Sequence, residues 1–402
     1  MSGRRRAARP LLVVARSARA LAQAARAAGY APYVIDLFGD SDTRASAVRY
    51  RRCAAREGYD FNAEALVAAV AALAGRDRPP LVWGGGLEGR AALLAACAHH
   101  CELLGTAPEA LPAIVSPLQR AECLRQLGIA TPELAFGRVP ARGGWLCKRI
   151  GEAGGWHVRP ALPGERLDAA CYAQRRVQGR ALSVSFLAAA RRVQVLGYSA
   201  QLFAPSSARP YAWAGAIGGI ALPRKLRRAI AAALPALAEA FALRGLCGID
   251  FVLDADGRWW LVDLNPRPTA TLELLVSPAA ALRAHLAACR DREWPAPAPR
   301  KRPWALAVPW SDDPIRLPKS LDWPAWVADR PGAGARLPRD APLCSVRASG
   351  PTAEAALRAL HRRLRDLGER LGGAVLPLPD CRPPANDNQP RALPASTSRD
   401  PR

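Results

Sequence analysis

The sequence predicts an α/β protein with an N-terminal parallel lobe, a larger α+β region and a small C-terminal strand–helix appendage. Three observations support this fold class. Apolar strand-like runs alternate with helical segments up to about residue 115, a β-hairpin pattern occupies residues 248–267, and a leucine-spaced amphipathic helix lies near the C-terminus. Alternation is typical of a parallel sheet covered by helices, whereas a hairpin requires antiparallel strands. The 402 residues also suffice for two or three domains.

The N-terminal lobe is predicted from short apolar runs separated by alanine-rich helices. The last run leads into residues 84–86, three glycines that either approach a ligand closely or form a plain strand-to-helix turn. The Gly-x-Gly-x-x-Gly pattern of dinucleotide sites is absent. Ligands of parallel sheets bind at the carboxyl ends of the strands, so we expect Glu88 and Arg90 near a substrate. The predicted strands are 11–15, 32–36 and 81–83, and the predicted helices are 18–28 and 62–74.

Residues 248–267 carry the most informative pattern. Two apolar strands flank a tight turn; the first strand carries Asp250, and the second ends in Asp263, Asn265 and Arg267. Residues two apart on a strand face the same side, so the hairpin brings the four side chains together. Two carboxylates and an amide oxygen suit Mg²⁺, and a guanidinium suits a phosphate or an oxyanion. An ordinary charged surface hairpin is the alternative; it is disfavoured because three polar side chains line one face of an apolar strand.

A second ligand-binding pattern lies at residues 145–157. Lys148 is one of four lysines in the chain; it ends an apolar strand and precedes a loop that contains three glycines. Backbone N–H groups of such a loop converge on oxygen atoms, and the ammonium adds a point charge, so the pattern predicts phosphate binding. A hairpin turn beside a surface lysine is the alternative.

The hairpin resembles the metal-binding signature of the ATP-grasp superfamily, in particular the carboligase-like group related to biotin carboxylase and other carboxylate–amine ligases. In that family an acidic residue ends one strand and a Glu-x-Asn-x-Arg run ends the next. Here Asp263 replaces the usual Glu. The resemblance implies that Asp250, Asp263 and Asn265 bind Mg²⁺, and that Arg267 stabilises the negative charge of the reacting centre.

The same resemblance implies the contacts with ATP. The lysine would contact the phosphates, the glycine loop would fold over them as a lid, and backbone groups of residues 174–177 would bind adenine. An amphipathic hairpin is the alternative for residues 172–186. The implied ATP-binding residues are Lys148, Gly151, Gly154, Gly155, Gln174, Arg175 and Val177.

Other segments depart from the family pattern or leave alternatives open. Many relatives carry a phosphate-contacting Lys near the start of the helix that is predicted here from Ser116 to Gly128. This chain has Ser-Pro-Leu there, and Arg120 is the candidate replacement. Residues 213–219 are predicted as a glycine-rich loop, either substrate-facing or a plain connection. Residues 269–275 are predicted to start a helix whose free N–H groups hold an anion.

The resemblance implies an ATP-grasp nucleotide-binding domain at 116–292, with an N-terminal domain at 1–115 before it and a strand–helix appendage at 293–375 after it. The composition of residues 376–402 predicts a disordered tail. A Pro-rich linker at 295–303 opens the appendage. Within the appendage, a helix with leucines at alternating spacings of three and four is expected to pack on a small sheet; a coiled coil is the alternative, disfavoured over so short a span.

The formal net charge of +23 invites comparison with nucleic-acid-binding proteins, but the arginines are spread along the chain without an aromatic-interleaved patch. No apolar run approaches the ~20 residues that span a bilayer. Ten cysteines without paired spacing predict a reduced, cytoplasmic protein. Cys97 and Cys101 follow helical spacing with leucines, which favours core packing over a metal site.

The resemblance therefore implies a ligase that uses ATP and Mg²⁺ to join a carboxylate to an amine or thiol through an acyl phosphate, with cofactor biosynthesis as one setting. Small-molecule acid and amine substrates are expected, with a homodimer as one assembly and with neither membrane nor nucleic acid as a partner. A catalytically inactive basic protein that binds nucleotide or RNA is the alternative. A dehydrogenase is disfavoured by the missing dinucleotide pattern.

Overall fold

The structure, a computed structural model, describes residues 8–53, 55–56, 59–190, 192–203, 209–310, 313–374 and 376–381. The N-terminal lobe is built on a five-stranded sheet of order β3-β2-β1-β6-β7 with all pairs parallel. Its elements are β1 (Pro10–Val14), α1 (Arg19–Ala27), β2 (Ala31–Asp36), α2 (Ser41–Ser46), β3 (Arg49–Arg52), β4 (Ala55–Arg56), β5 (Asp60–Phe61), α3 (Ala63–Ala74), β6 (Pro80–Trp83), α4 (Ala91–Ala98), β7 (Glu102–Leu104), a 3₁₀ turn (Pro108–Ala110) and α5 (Leu111–Val115).

The order of strands in this sheet locates a crevice. β1 is central and almost fully buried, and the chain runs from it to β2 on one side before it returns to β6 on the other. A ligand crevice is expected where the strand order reverses, beyond the carboxyl ends of β1 and β6. Residues 15–17 and the glycines 84–86 lie at these ends.

The central region contains a four-stranded sheet of order β10-β9-β11-β8 and the larger part of an eight-stranded sheet, and its strand pairs are antiparallel. The predicted α/β class with its α+β region is confirmed. The elements are α6 (Pro117–Gln126), β8 (Leu134–Ala135), β9 (Trp145–Arg149), β10 (Arg159–Ala161), β11 (Cys171–Arg175), β12 (Arg180–Ala189), β13 (Arg192–Leu202), β14 (Gly215–Gly218), α7 (Arg224–Ala240), β15 (Gly245–Leu253), β16 (Trp259–Asn265), α8 (Leu272–Leu275) and α9 (Pro278–Ala288).

The C-terminal part differs from the expectation of a small sheet. Three of its strands continue the eight-stranded sheet, whose order is β16-β15-β12-β13-β14-β17-β21-β19, because β14 pairs with β17. A long helix covers these strands with fully buried leucines. The elements are β17 (Trp304–Ala307), β18 (Ile315–Arg316), β19 (Val327–Ala328), β20 (Arg336–Leu337), β21 (Ser345–Ser349) and α10 (Ala353–Arg370).

The start of the predicted tail is placed in the structure. Leu376 is buried against the α10 core, and Asp380 forms a β-bridge with Phe203. These contacts move the end of the ordered chain to at least Cys381, whereas the predicted disorder of residues 382–402 lies outside the described residues.

Three local expectations are corrected. Residues 215–218, predicted as loop, form β14 between two strands that both pair with it. The helix expected after residue 269 is only the four-residue α8, too short for the anion site that was expected. The segment 172–186 is not a hairpin, because β11 and β12 belong to different sheets.

The cysteine cluster behaves as core. Cys97 and Cys101 are each 2 % exposed and pack among the leucines of the largest apolar cluster. Within the described ranges, no three His, Cys, Asp or Glu side chains are grouped as metal ligands. None of the helices in the described part of the chain combines the length and apolarity needed to cross a membrane.

Candidate functional site

A cleft of about 1060 Å³ opens between the N-terminal lobe, the two sheets of the central region and the C-terminal part. The glycines 84–86 line it, together with loop residues from all three parts. The residues that the sequence assigned to ATP, Mg²⁺ and the reacting centre also line this one cleft: Lys148, Gly151, Gly154, Gly155, Gln174, Arg175, Val177, Asp250, Asp263, Asn265 and Arg267. Arg90, which was expected near a substrate, is not among its lining residues.

The predicted metal ligands meet where the interior of β15 pairs with the carboxyl-terminal end of β16. Asp250 and Asp263 are direct cross-strand partners, and a β-bulge follows them. The Asn265 Nδ2 donates to Asp250 Oδ2 at 3.0 Å. A support layer lies on β12 and β13, where the Ser183 hydroxyl donates to Asp250 Oδ1 and itself accepts from Gln201 Nε2 at 3.1 Å. This chain of hydrogen bonds fixes the orientation of the Asp250 carboxyl.

The charges of this site favour a cation. Burial raises the pKa of Asp250, and the neighbouring carboxylate of Asp263 raises it further, while the hydrogen bonds from Ser183 and Asn265 oppose the shift. A buried carboxyl that lies beside a second carboxylate, as Asp250 does, gains from a divalent cation between the two. The donor set of two carboxylates and one amide oxygen is the hard oxygen chemistry that Mg²⁺ prefers. The residues present therefore fit Mg²⁺.

Arg267 is held between the central region and the N-terminal lobe. Its Nε donates to Glu88 in a buried ion pair, its Nη2 donates to Asn265 Oδ1 at 3.1 Å, and its Nη1 donates to the Pro268 carbonyl. The guanidinium passes over Gly85, where an added Cβ would lie 3.5 Å from Arg267 Cζ. Arg267 therefore packs over the backbone at Gly85, where a side chain would meet it at ordinary contact distance.

Glu88 is fixed from both sides. It accepts the Gly86 N–H at 2.7 Å as well as the Arg267 bond. Burial alone would raise its pKa, but the positive charges of Arg267 and Arg16 and the hydrogen bonds that Glu88 accepts together outweigh burial, so the pKa of Glu88 lies below its ordinary value. Sequence analysis placed Glu88 and Arg90 near a substrate; the Arg90 guanidinium pairs with Asp60.

The opposite wall of the cleft is electropositive. His157 follows the glycine loop, and its pKa falls to about 4 because burial disfavours the imidazolium and because Lys148, Arg16 and Arg149 add positive charge. Its Nδ1 is buried without a hydrogen-bond partner among the described residues. An anionic group such as a phosphate would compensate the three positive charges that surround this neutral histidine.

The glycine loop is packed tightly at two points. A Cβ at Gly89 would lie 2.6 Å from the Gly151 carbonyl oxygen, so the loop touches the N-terminal lobe. A Cβ at Gly155, whose φ is +71°, would lie 2.1 Å from the Tyr211 carbonyl oxygen. The Trp213 N–H donates to the Gly154 carbonyl at 2.8 Å. The loop therefore lies across the cleft, with contacts on both sides.

The predicted adenine hinge offers a ligand fewer backbone N–H groups than expected. The N–H groups of Arg175 and Arg176 already donate to the carbonyls of Glu133 and Gly144, each at 2.8 Å. Among the described residues, none accepts the Val177 N–H. Of the hinge amides, Val177 is therefore the one left for a ligand in the cleft.

Some residues of this site escaped sequence analysis. Ser183 and Gln201 belong to strands whose register with β15 and β16 carries no local signal. Arg120, the candidate substitute for the missing lysine, lines the cleft, but its Nη1 donates to the Ile114 carbonyl at 2.7 Å. The pattern after β6 gave the only hint of Glu88.

Comparison with known proteins agrees with this architecture. Residues 118–271 match the ATP-grasp domain family. No curated protein matches the sequence. The chain thus contains an ATP-grasp domain, and the predicted resemblance to the ATP-grasp superfamily is confirmed.

Solved structures extend the similarity to nearly the whole chain. The biotin carboxylase domain dimer of the Hydrogenobacter thermophilus 2-oxoglutarate carboxylase, solved with MgADP and bicarbonate, gives a TM-score of 0.69 at 12% identity and covers 89% of this chain and 90% of its own. Carboxyaminoimidazole ribonucleotide synthase from Aspergillus clavatus, complexed with ATP, gives 0.64 at 13% identity and covers 92% and 99%. L-amino acid ligase from Bacillus licheniformis gives 0.62 at 13% identity and covers 90% and 98%. The fold of the chain is that of these ATP-grasp enzymes.

Proposed function

We propose that this protein is an ATP- and Mg²⁺-dependent ligase that joins a carboxylate to an amine, or to a thiol, through an acyl phosphate. One observation carries the proposal: the predicted metal ligands, Arg267 and the electropositive wall with Lys148 line a single cleft within an ATP-grasp fold. The similar enzymes named above support the nucleotide, since one was solved with MgADP and another with ATP.

In this proposal the chain holds ATP from two sides. Lys148 and the N–H groups of the loop with Gly151, Gly154 and Gly155 bind the phosphates, and the hinge at Gln174, Arg175 and Val177 binds adenine. Asp250, Asp263 and Asn265 hold Mg²⁺, which neutralises charge on the phosphates when bound. Ser183 keeps the Asp250 carboxyl oriented toward the ion.

The chemistry requires no side-chain nucleophile. The substrate carboxylate attacks the γ-phosphorus of ATP; the bond to the bridging oxygen breaks, and ADP and an acyl phosphate form. The amine then attacks the acyl carbon, loses a proton and expels phosphate. Arg267, oriented by Glu88, stabilises the negative charge of the tetrahedral intermediate. The loop across the cleft excludes water, which would otherwise hydrolyse the acyl phosphate.

The setting of the reaction is part of the proposal. Cofactor biosynthesis is one pathway type in which such ligases act, and a cytoplasmic location agrees with ten cysteines that show no disulfide. The similar biotin carboxylase domain from Hydrogenobacter thermophilus is a dimer, and on this basis we propose a homodimer for this protein. Size-exclusion chromatography with light scattering tests the assembly.

Mutation of the metal site tests the proposal. Asp263→Asn keeps the shape of the side chain but removes one carboxylate, so Mg²⁺-dependent ADP formation with pooled carboxylates and amines should fall by about 100-fold or more. Lys148→Ala should also abolish turnover. The measurement is a coupled assay of ADP release.

Asp256→Asn is the matched control, because Asp256 lies exposed at the turn of the same hairpin. It should retain the activity of the unmodified protein. Unchanged turnover in both Asp263→Asn and Lys148→Ala would remove the assignment.

A further inference from the structure

We propose that Asp40, at the end of the cleft between the N-terminal lobe and the C-terminal part, binds the ammonium group of the amine substrate. Asp40 follows β2 and precedes α2, and it lines the cleft although it is only 6 % exposed. The name "amine substrate" rests on the proposed ligase function, whereas the binding of a cationic amine at Asp40 is testable without it.

Three other carboxylates surround this position, and each has its own donors. Asp36 Oδ1 accepts from the Tyr50 hydroxyl at 2.7 Å and from the Gly39 N–H at 3.0 Å. Asp42 accepts the N–H groups of Asp329 and Arg330, each at 3.0 Å. These carboxylates therefore serve the fold, by shaping the loop after β2 and by fastening the C-terminal part to it.

Asp329 is the third of these carboxylates. It accepts from the Arg19 guanidinium and from the Ser17 hydroxyl. Its charge is therefore compensated inside the protein.

Asp40 differs from its neighbours because no described residue donates a hydrogen bond to either of its carboxyl oxygens, and the carboxyl does not cap α2. Asp36, by contrast, lacks a partner only at Oδ2. Burial raises the pKa of Asp40 to about 8, and the negative charges of Asp329, Asp36 and Asp42 add to this shift. The positive charge of Arg19 opposes it. A buried carboxyl without a donor is costly, and a cation in the cleft is the partner that would compensate it.

The occupant is an organic ammonium rather than a metal ion. Among the described residues, the four carboxylates do not group as metal ligands, because three of them point to the donors given above. Phe38, two residues before Asp40, and Tyr59 have rings 5.5 Å apart, and both line the cleft and offer apolar surface. An ammonium head with a carbon body fits a single carboxylate beside aromatic rings.

Binding of simple amines tests this inference on the full chain. Putrescine, L-lysine and ethanolamine serve as cationic probes, with glycerol, propionate and Mg²⁺ alone as neutral, anionic and metal probes. Calorimetry should detect millimolar or tighter binding of at least one amine, and Asp40→Asn should weaken it about tenfold or more, as expected for a lost charge-assisted hydrogen bond. Asp77→Asn, an exposed change in the same lobe, should leave binding unchanged.

Two further measurements separate the possible results. Asp40→Asn should melt at a higher temperature than the unmodified protein, since it removes an uncompensated carboxyl, and ATP binding should persist. Amine binding should also persist in Lys148→Ala, so loss of ligase activity would not affect this test. Equal amine affinity in Asp40→Asn, no amine binding to the unmodified protein, or binding of Mg²⁺ alone at Asp40 would each overturn the inference.

Discussion

A single buried histidine shows how strongly the interior controls protonation. His285 on α9 accepts the Leu246 N–H through Nδ1 at 2.8 Å, and its Nε2 lies 3.3 Å from the Leu104 carbonyl oxygen. Burial lowers its pKa from 6.5 to about 4, although the bond to Leu104 opposes the shift. His285 therefore joins the central sheet to the N-terminal lobe as a neutral ring.

This pKa predicts a specific acid sensitivity. Between pH 4 and 6.5 the unfolded chain binds more protons at this position than the folded chain, so the stability contributed by His285 is complete above pH 6.5 and declines as the pH falls toward 4. His285→Asn should cost about 1–3 kcal/mol at neutral pH, because asparagine cannot replace Nε2 beside the Leu104 carbonyl or fill the buried volume of the ring. Urea unfolding should show a smaller cost near pH 5.

The exposed His99 gives the control. His99→Asn should change the free energy of unfolding by less than about 0.5 kcal/mol at either pH. If the loss of stability caused by His285→Asn did not change with pH, this result would contradict the inference that His285 is neutral in the folded protein.

The predictability of the site also differs residue by residue. Asp250, Asp263, Asn265 and Arg267 could be grouped from sequence because alternation along a strand and a tight turn fix their relative positions. Ser183 could not be found in this way, because its contact with Asp250 depends on the pairing of β12 with β15, strands separated by more than 50 residues.

At the level of elements, the sequence predicted a helix best where a residue typical of helix ends marked its boundary. The helix predicted to begin at Ser116 does begin there, because Ser116 is its N-cap and the Ser116 hydroxyl accepts the Gln119 N–H at 3.4 Å. The sequence of β14, Gly-Ala-Ile-Gly, has weak strand propensity, so it was taken for a loop. It is a strand because β13 and β17 supply hydrogen-bonding partners on both sides, which is tertiary context rather than local preference.

The glycine loop yields a prediction about one atom. In Gly155→Ala the new Cβ would overlap the Tyr211 carbonyl oxygen, 2.1 Å away, so the loop would no longer lie across the cleft as it does here. If this position of the loop holds ATP, the KM for ATP should rise about tenfold or more, since 1.4 kcal/mol is sufficient for that change. Steady-state kinetics with varied ATP measures it.

Gly154→Ala is a closely matched control. Gly154 also has a positive φ, +84°, but its added Cβ would make an ordinary contact with Trp156 at 3.5 Å. The backbone strain is therefore similar in the two variants, and only one has the overlap. Equal effects of the two substitutions would argue that strain, and not the position of the loop, controls ATP binding.

At the scale of the whole molecule, one arginine joins the three parts of the chain. Arg19 on α1 donates to both oxygens of Glu273 on α8 and to both oxygens of Asp329 in the C-terminal part. Its side chain is only 3% exposed. Burial alone would lower the pKa of Arg19, but the two carboxylates outweigh it and raise that pKa well above the ordinary value.

Removal of this side chain should destabilise the entire protein. Arg19→Ala leaves two buried carboxylates without their cation, which costs about 3–5 kcal/mol in comparable buried pairs. Arg290→Ala breaks the more exposed pair with Glu102 and should cost about 0–1 kcal/mol. Urea denaturation followed by tryptophan fluorescence compares the unfolding midpoints of the two variants. Similar midpoints would show that Arg19 does not stabilise the junction of the three parts.

The eight-stranded sheet continues beyond the segment whose sequence matches the known domain family. The segment of recognisable sequence similarity stops at residue 271, yet β14 inside it is completed by β17 beyond it. Without that partner, a row of backbone N–H and C=O groups would become an open edge prone to aggregation. A fragment that ends at residue 271 would therefore expose the edge of β14 that β17 covers in the full chain.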